Sequence, residues 1–146
     1  MSLTVKEREL VAVGVSLAAG CKPCTDYHLN RVRRAGASDE EIEQAMLDAI
    51  AVRDKAKRIM QRHGFKLLSF KKVGRTEDDD DELGEPTRMR ELVSVGAAYA
   101  VSCTSSLEGH VATARSVGVE DDEIEAVVGL ARFIRGKADS LCCKLI

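Results

Sequence analysis

The stretch Arg8-Glu9-Leu10-Val11-Ala12-Val13-Gly14 returns as Arg90-Glu91-Leu92-Val93-Ser94-Val95-Gly96, 82 residues further along the chain. The register then holds without a gap. Cys21 meets Cys103, His28 meets His110 and Arg33 meets Arg115. Gly36, Asp39, Glu41, Ile42 and Glu43 meet Gly118, Asp121, Glu123, Ile124 and Glu125, and Lys55 and Ala56 meet Lys137 and Ala138. Agreement sustained over that span marks an internal duplication, so each boundary read in one half is checked by the other.

Working outward from Glu9, each half reads as three helices. The first runs from about Lys6 to Ala19, apolar on most sides, and Gly20 stops it because glycine tolerates the left-handed conformation of a helix end. A helix so apolar belongs at the centre of a bundle. The second starts near Pro23, harmless in a first turn where the N–H has no helical partner, and ends at Gly36. The third opens with Ser38-Asp39-Glu40-Glu41, a capping box, and sets Ile42, Ala45, Met46, Ala49, Ile50, Arg53 and Ala56 at helical spacing.

Composition agrees with an all-α fold. The hydrophobic fraction is 45%, yet aromatics are only 3% and Trp is absent, so Ala, Val, Leu, Ile and Met must fill the core. These are residues of helix bundles rather than of sandwiches. A chain of 146 residues is long enough to bury such a core as one compact domain made of two similar halves. We divide it into a first repeat, 1–62, a linker, 63–87, and a second repeat, 88–146. The linker carries Gly74, Gly84, Pro86 and the run Glu77-Asp78-Asp79-Asp80-Asp81-Glu82, like charges that repel and bury nothing apolar. Phe65, Leu67, Leu68 and Phe70 are expected to dock its first part on the bundle.

A net charge of −2 offers no excess of cations for a phosphate backbone, and few aromatics are present for bases to stack on, which argues against nucleic acid. The longest apolar stretches, Leu10 to Ala19 and Leu92 to Val101, are too short to span a bilayer, and Met1-Ser2-Leu3-Thr4-Val5-Lys6 lacks a signal-peptide pattern. The expectation is a cytoplasmic protein without a membrane partner. Five cysteines in such a chain direct attention to reactive or metal-binding thiols rather than to a secreted disulfide framework.

Cys21 and Cys24 straddle Pro23 where a helix begins, and the positive end of the helix dipole favours thiolate over thiol there. His28 stands one turn beyond Cys24 on the same face, in position to take the thiol proton directly or through a water. Cys24 then reads as the attacking residue and Cys21 as the resolving one, closing a disulfide once Cys24 is oxidised to a sulfenic acid. The same residues support a second reading, with Cys21, Cys24 and His28 as zinc ligands, although the distant second ligand pair of structural zinc sites is missing. An attached c-type haem is excluded, since Thr25 rather than His follows Cys24. Glu9, a carboxylate in an apolar helix, needs a partner when buried. His28 or a nearby Arg would make it an orienting group and proton acceptor; Arg8, Arg90 or Lys55 would make it a structural ion pair.

Glu9, Cys21-Lys22-Pro23-Cys24, His28, Gly36 and the Asp39-Glu40-Glu41-Ile42 helix start together resemble the alkylhydroperoxidase D (AhpD-like) branch of the carboxymuconolactone decarboxylase superfamily. The resemblance covers nearly the whole chain outside the linker. It implies an all-helical AhpD-like bundle of two tandem three-helix repeats related by pseudo-two-fold symmetry, acting as a thiol peroxidase or disulfide reductase without a cofactor. Carried over, Cys24 matches the cysteine that becomes the sulfenic acid, Cys21 its partner thiol and proton donor, and His28 and Glu9 the proton relay. The decarboxylase members lack the paired cysteines, which weighs against lyase activity. In the second half Ser106 replaces the second cysteine while Glu91, Cys103 and His110 remain, so it reads as a structural copy that lost the reaction. The implied partners are a peroxide or disulfide substrate and a thiol electron-donor protein. By analogy with single-copy members, a homo-oligomer, a trimer, is expected. A redox adaptor, or a zinc-binding or purely structural helical module, is the alternative to an enzyme. Cys142 and Cys143 are too close along the chain for relaxed disulfide geometry and are expected to pack. Met46 and Met60 are expected in the core, and His63 at a helix end.

Overall fold

A computed structural model describes residues 2–68 and 84–146 of the chain. Thr4 and Glu7 trade hydrogen bonds, the Thr4 N–H to Glu7 Oε1 and the Glu7 N–H to Thr4 Oγ1, both at 3.0 Å. This reciprocal cap satisfies two backbone donors and starts α1, Val5–Ala19. Gly20, at φ 73°, takes the left-handed turn that ends it. Cys21 caps α2, Lys22–Arg34, with its sulfur accepting from the Cys24 N–H at 3.3 Å. Ser38 and Glu41 form a second reciprocal cap and open α3, Asp39–Leu67.

The second half repeats the plan. Thr87 accepts from the Arg90 N–H at 3.1 Å and starts α4, Arg88–Ala100. Cys103 occupies the cap of α5, Thr104–Ser116, with φ −92° and ψ 99°, against −101° and 101° at Cys21. Glu120 replaces Ser38 as the cap of α6, Asp121–Cys143. Among the described residues every regular element is a helix, as the aliphatic composition predicts.

The duplication becomes a pseudo-two-fold axis where α1 meets α4. The two helices pack on each other at the centre, α1 also against α2, α3 and α6, and α4 also against α3, α5 and α6. Gly14 and Gly96 allow this approach. A Cβ on Gly14 would lie 2.8 Å from Val93 Cγ1, and one on Gly96 would lie 2.7 Å from Val15 Cγ2 and 3.2 Å from Val11 Cγ1. Each half thus presents a glycine to the valines of the other. Leu10, Val11, Val13 and Val15 of α1 and Leu92, Val93 and Val95 of α4 are buried there.

Charged pairs obey the same symmetry. Lys6 reaches Glu41 at 3.0 Å in one half, and its counterpart Arg88 reaches Glu123 at 2.6 Å in the other. Arg88 also meets Glu7 at 2.9 Å, so one guanidinium joins α1, α4 and α6. Its hydrogen bonds, with that from the Glu120 N–H, hold the buried Glu123 carboxyl down at about 2. Arg53 and Arg135, again equivalent, donate to the last carbonyls of α1 and α4, Leu17 at 3.1 Å and Tyr99 at 3.3 Å.

Several expectations need correction. The first residues of the segment 63–87, read as a linker, lie inside α3, which continues to Leu67 because Met60, Gln61, Arg62, Lys66 and Leu67 are all favourable helix formers. Leu67 and Leu68 are exposed rather than docked. Met60 and Ile50 are exposed as well: α3 is solvated on its outer side, so apolar spacing along it overcounts the core, whereas Met46 does pack against the core. Cys142 and Cys143, on the last turn of α6, are exposed and not packed. His63 is exposed near the end of α3. Phe70, Gly74 and the acidic run fall outside the described residues. No described helix is long and apolar enough to cross a membrane.

Candidate functional site

The site is assembled around the start of α2. Cys21 and Cys24 are joined as a disulfide, with Cα atoms 5.3 Å apart. The extended cap conformation of Cys21 and the first helical turn, with Pro23 in it, bring the two sulfurs together. Both cysteines are buried, and so is His28, one turn further along α2. Cys24, His28 and Val32 form the inward stripe of that helix.

Glu9 approaches from α1 and is 5% exposed, so its charge must be answered locally. Its two oxygens are divided. Oε1 lies 3.0 Å from His28 Nδ1, and Oε2 accepts from Arg31 Nε at 3.0 Å. Of the partners open in the sequence, His28 and a nearby arginine are the ones used, both from the same half; Arg90 instead pairs with Asp48 at 3.2 Å. Because an ionised carboxylate only accepts, Nδ1 is the donor of this bond, and in the neutral imidazole Nε2 is the nitrogen that keeps a lone pair. Arg31 is also tied to Tyr27, with Nη1 donating to the phenol oxygen at 3.2 Å and the guanidinium 5.5 Å from the ring centroid. Tyr27 meets the His28 ring edge-on, centroids 5.0 Å apart.

Cys24 and His28 open onto one cavity of about 440 Å³, whose other walls are Pro23, Tyr27 and, from the second half, Phe133, Ile134, Lys137 and Leu141 of α6. The disulfide and the histidine therefore come from one repeat, and the facing wall from the other. Among the described residues Lys137 is the one amine that lines the cavity. Cys21 faces a separate groove beside Lys22, Thr25, Asp26 and Arg53.

The equivalent position in the second half keeps the frame without the second sulfur. His110 Nδ1 lies 2.8 Å from Glu91 Oε1, and Cys103 Sγ lies 3.2 Å from Ser106 Oγ. Burial pushes the Cys103 thiol up, but hydrogen bonds with Ser106 and Ser105 outweigh it and leave the group below its ordinary value. Thr113 stands where Arg31 stands in the first half, so Glu91 lacks that arginine.

Among the described residues no group of three or more His, Cys, Asp or Glu side chains that could hold a metal is found, and the two sulfurs of the pair are joined to each other.

Sequence reasoning missed Arg31, Tyr27 and the α6 wall. Arg31 had a local signal, being three residues beyond His28 and seven beyond Cys24 on the same helical face. Lys137 had the repeat signal it shares with Lys55. For Phe133, Ile134 and Leu141 there was none, since only docking of α6 against α2 brings them near.

No curated protein matches the chain. A family model described as the carboxymuconolactone decarboxylase family matches residues 1–60 and 71–140, the two repeats with most of the segment between them. The match takes in both repeats of the helical bundle: the chain belongs to the carboxymuconolactone decarboxylase family.

Proposed function

We propose that the protein is a thiol-dependent peroxidase that cycles Cys21 and Cys24 between dithiol and disulfide. The observation that carries this reading is the placement of Cys24 on the same cavity as a histidine whose Nδ1 is held by the buried Glu9. Cys24 is the third residue of α2, where unpaired N–H groups and the helix dipole favour a thiolate. Family membership and the close Cys21–Cys24 pair are compatible with redox chemistry of this kind.

In the reduced protein His28 Nε2 takes the Cys24 proton. The thiolate attacks the terminal oxygen of a hydroperoxide: an S–O bond forms, the O–O bond breaks, and sulfur is oxidised to sulfenic acid as the peroxide is reduced. The leaving alkoxide takes the proton from His28 and departs as an alcohol. Cys21 then attacks the Cys24 sulfur, the S–S bond forms, and hydroxide leaves as water with the Cys21 proton. A separate dithiol protein returns two electrons by exchange and becomes a disulfide. Glu9 completes the relay through Nδ1: it fixes the imidazole and balances the positive charge that His28 takes on with the proton. We place this reaction in the cytoplasm and in a homo-oligomer, a trimer by analogy.

The test is a thiol titration of wild type, Cys21→Ser and Cys24→Ser before and after one equivalent of peroxide. The expected result is loss of two thiols in wild type, a trapped sulfenic acid in Cys21→Ser, and no reaction at this site in Cys24→Ser. Peroxide consumption by Cys24→Ser at the wild-type rate would end the mechanism. A pair that exchanges with a dithiol protein but reacts with peroxide no faster than a free thiol would identify a redox adaptor instead.

A further inference from the structure

Resting on that reading, the geometry points to a substrate class: hydroperoxides that carry a carboxylate at the far end of an apolar chain, with Lys137 as the residue that recognises the carboxylate. The cavity is far larger than hydrogen peroxide requires. It encloses about 440 Å³, whereas a water-sized molecule takes roughly 30 Å³, and the volume lies in the range of sites for small organic ligands. Its walls are mostly carbon. Pro23, Tyr27, Phe133, Ile134 and Leu141 offer surface that a peroxide of two oxygens does not use and an alkyl or aryl group does. Phe133 and Tyr27 are 67% and 57% exposed. Apolar surface left this open beside a nucleophile marks a place for an apolar ligand rather than a closed core.

Lys137 supplies the polar end. Several cations of the bundle are held by carboxylates: Arg31 by Glu9, Lys6 by Glu41, Arg88 by Glu7 and Glu123, Arg90 by Asp48. Lys137 is exposed, lines the cavity, and has no ion-pair partner among the described residues. One charged donor in an apolar cavity is the arrangement that orients an amphiphile, tail on the carbon wall and anion on the amine. Both ends of the path belong to different halves, Cys24 and His28 to α2 and Lys137 to α6, one turn beyond Phe133. A ligand spanning them reads the interface between the repeats. The carboxylate must be remote from the peroxide group, since Cys24 and Lys137 stand on opposite walls.

The experiment compares the hydroperoxide of linoleic acid with that of its methyl ester, in wild type, Lys137→Met and Lys137→Arg, by rate of Cys21–Cys24 disulfide formation at low salt. The expected ratio of kcat/KM, acid over ester, is about fivefold in wild type, the upper end for a solvent-facing ion pair. It falls to near one in Lys137→Met, persists in Lys137→Arg, and shrinks in wild type as salt screens the pair. A wild-type ratio near one, or a ratio that Lys137→Met leaves intact, overturns the carboxylate assignment while the peroxidase reading stands. A binding arm separates the two failures: decanoate and decanol are titrated calorimetrically into the same three proteins. If no peroxide oxidises the cysteines, the peroxidase reading is overturned, and a decanoate preference that Lys137→Met abolishes still upholds anion recognition by Lys137. Equal binding of decanoate and decanol overturns it.

Discussion

Replacing Glu9 by Gln tests the relay with almost no change in shape. Both Glu9 oxygens accept at 3.0 Å, from His28 Nδ1 and Arg31 Nε, in a position that is 5% exposed. A glutamine offers one carbonyl oxygen and one NH₂, so it serves one of these donors and turns a donor toward the other. The lost charge-assisted bond is worth about 1.5–3 kcal/mol. Arg31 is half exposed and can turn to water, which places the cost near the lower end, about 1.5 kcal/mol and a fall in Tm of roughly 5 °C for a chain of this size. The rate suffers more. Proton transfer by a positioned histidine supplies about 10²–10⁴-fold; with His28 retained but no carboxylate behind it, the loss is taken at about 100-fold in the second-order rate of disulfide formation. The control is built into the duplication. Glu91→Gln disturbs the matching His110 contact, 2.8 Å long, beside Cys103 and Ser106, which form no disulfide. It should lower Tm by several degrees and leave the rate of Cys21–Cys24 oxidation within twofold. Rapid-quench thiol titration and thermal unfolding measure both quantities. A Glu9→Gln rate within threefold of wild type, or equal slowing by Glu91→Gln, would refute the assignment of the relay to the first repeat.

Three further outcomes follow from the packing and the caps. Arg88→Ala leaves the buried Glu123 carboxylate without its main partner and should cost about 3 kcal/mol in chemical denaturation. Since the folded Glu123 value lies near 2 against an ordinary 4.5, the stabilisation is complete above pH 4.5 and disappears as pH falls through 2; Arg88→Ala should flatten the stability–pH curve across that window, and an unchanged slope would count against the linkage. Gly14→Ala should destabilise by about 1 kcal/mol, overpacking against Val93 outweighing the helix-propensity gain, whereas Gly129→Ala in α6, with open space at its Cβ, should stabilise by about 0.5–1 kcal/mol. Equal effects at the two glycines would refute the close approach of α1 and α4. Ser106→Cys should create a second redox pair, because Cys103 and Cys21 share their cap conformation and Cys103 Sγ already lies 3.2 Å from the side-chain oxygen at 106; peroxide or a mild oxidant should then remove two more thiols than in wild type, and an unchanged titre would refute the equivalence.

Much of this protein is determined by local and periodic features that a sequence carries openly. The duplication shows as a constant offset of 82 residues, and the helix starts at Thr4, Ser38 and Thr87, the stop at Gly20 and the Cys21–Cys24 pair depend on residues within one or two helical turns of each other. Such contacts need no knowledge of the rest of the chain. The burial of Glu9 could be foreseen for the same reason, as a lone carboxylate in an apolar helix. Its partner could not: Arg31 and His28 stand on another helix, and Arg8, Arg90 and Lys55 were equally compatible with the spacing. Nor could spacing tell Met46, packed against the core, from Met60 and Ile50, in solvent on the same helix, because burial depends on where α1 and α4 cover α3 and not on period alone. The cavity is the clearest case. Cys24 and His28 mark one wall, but the opposite wall, Phe133, Ile134, Lys137 and Leu141, lies more than a hundred residues away in sequence and arrives there only when the two repeats close around Gly14 and Gly96. Chemistry that sits within a helical turn is legible in one dimension; the surface that selects its substrate is made by packing, and only the folded chain decides it.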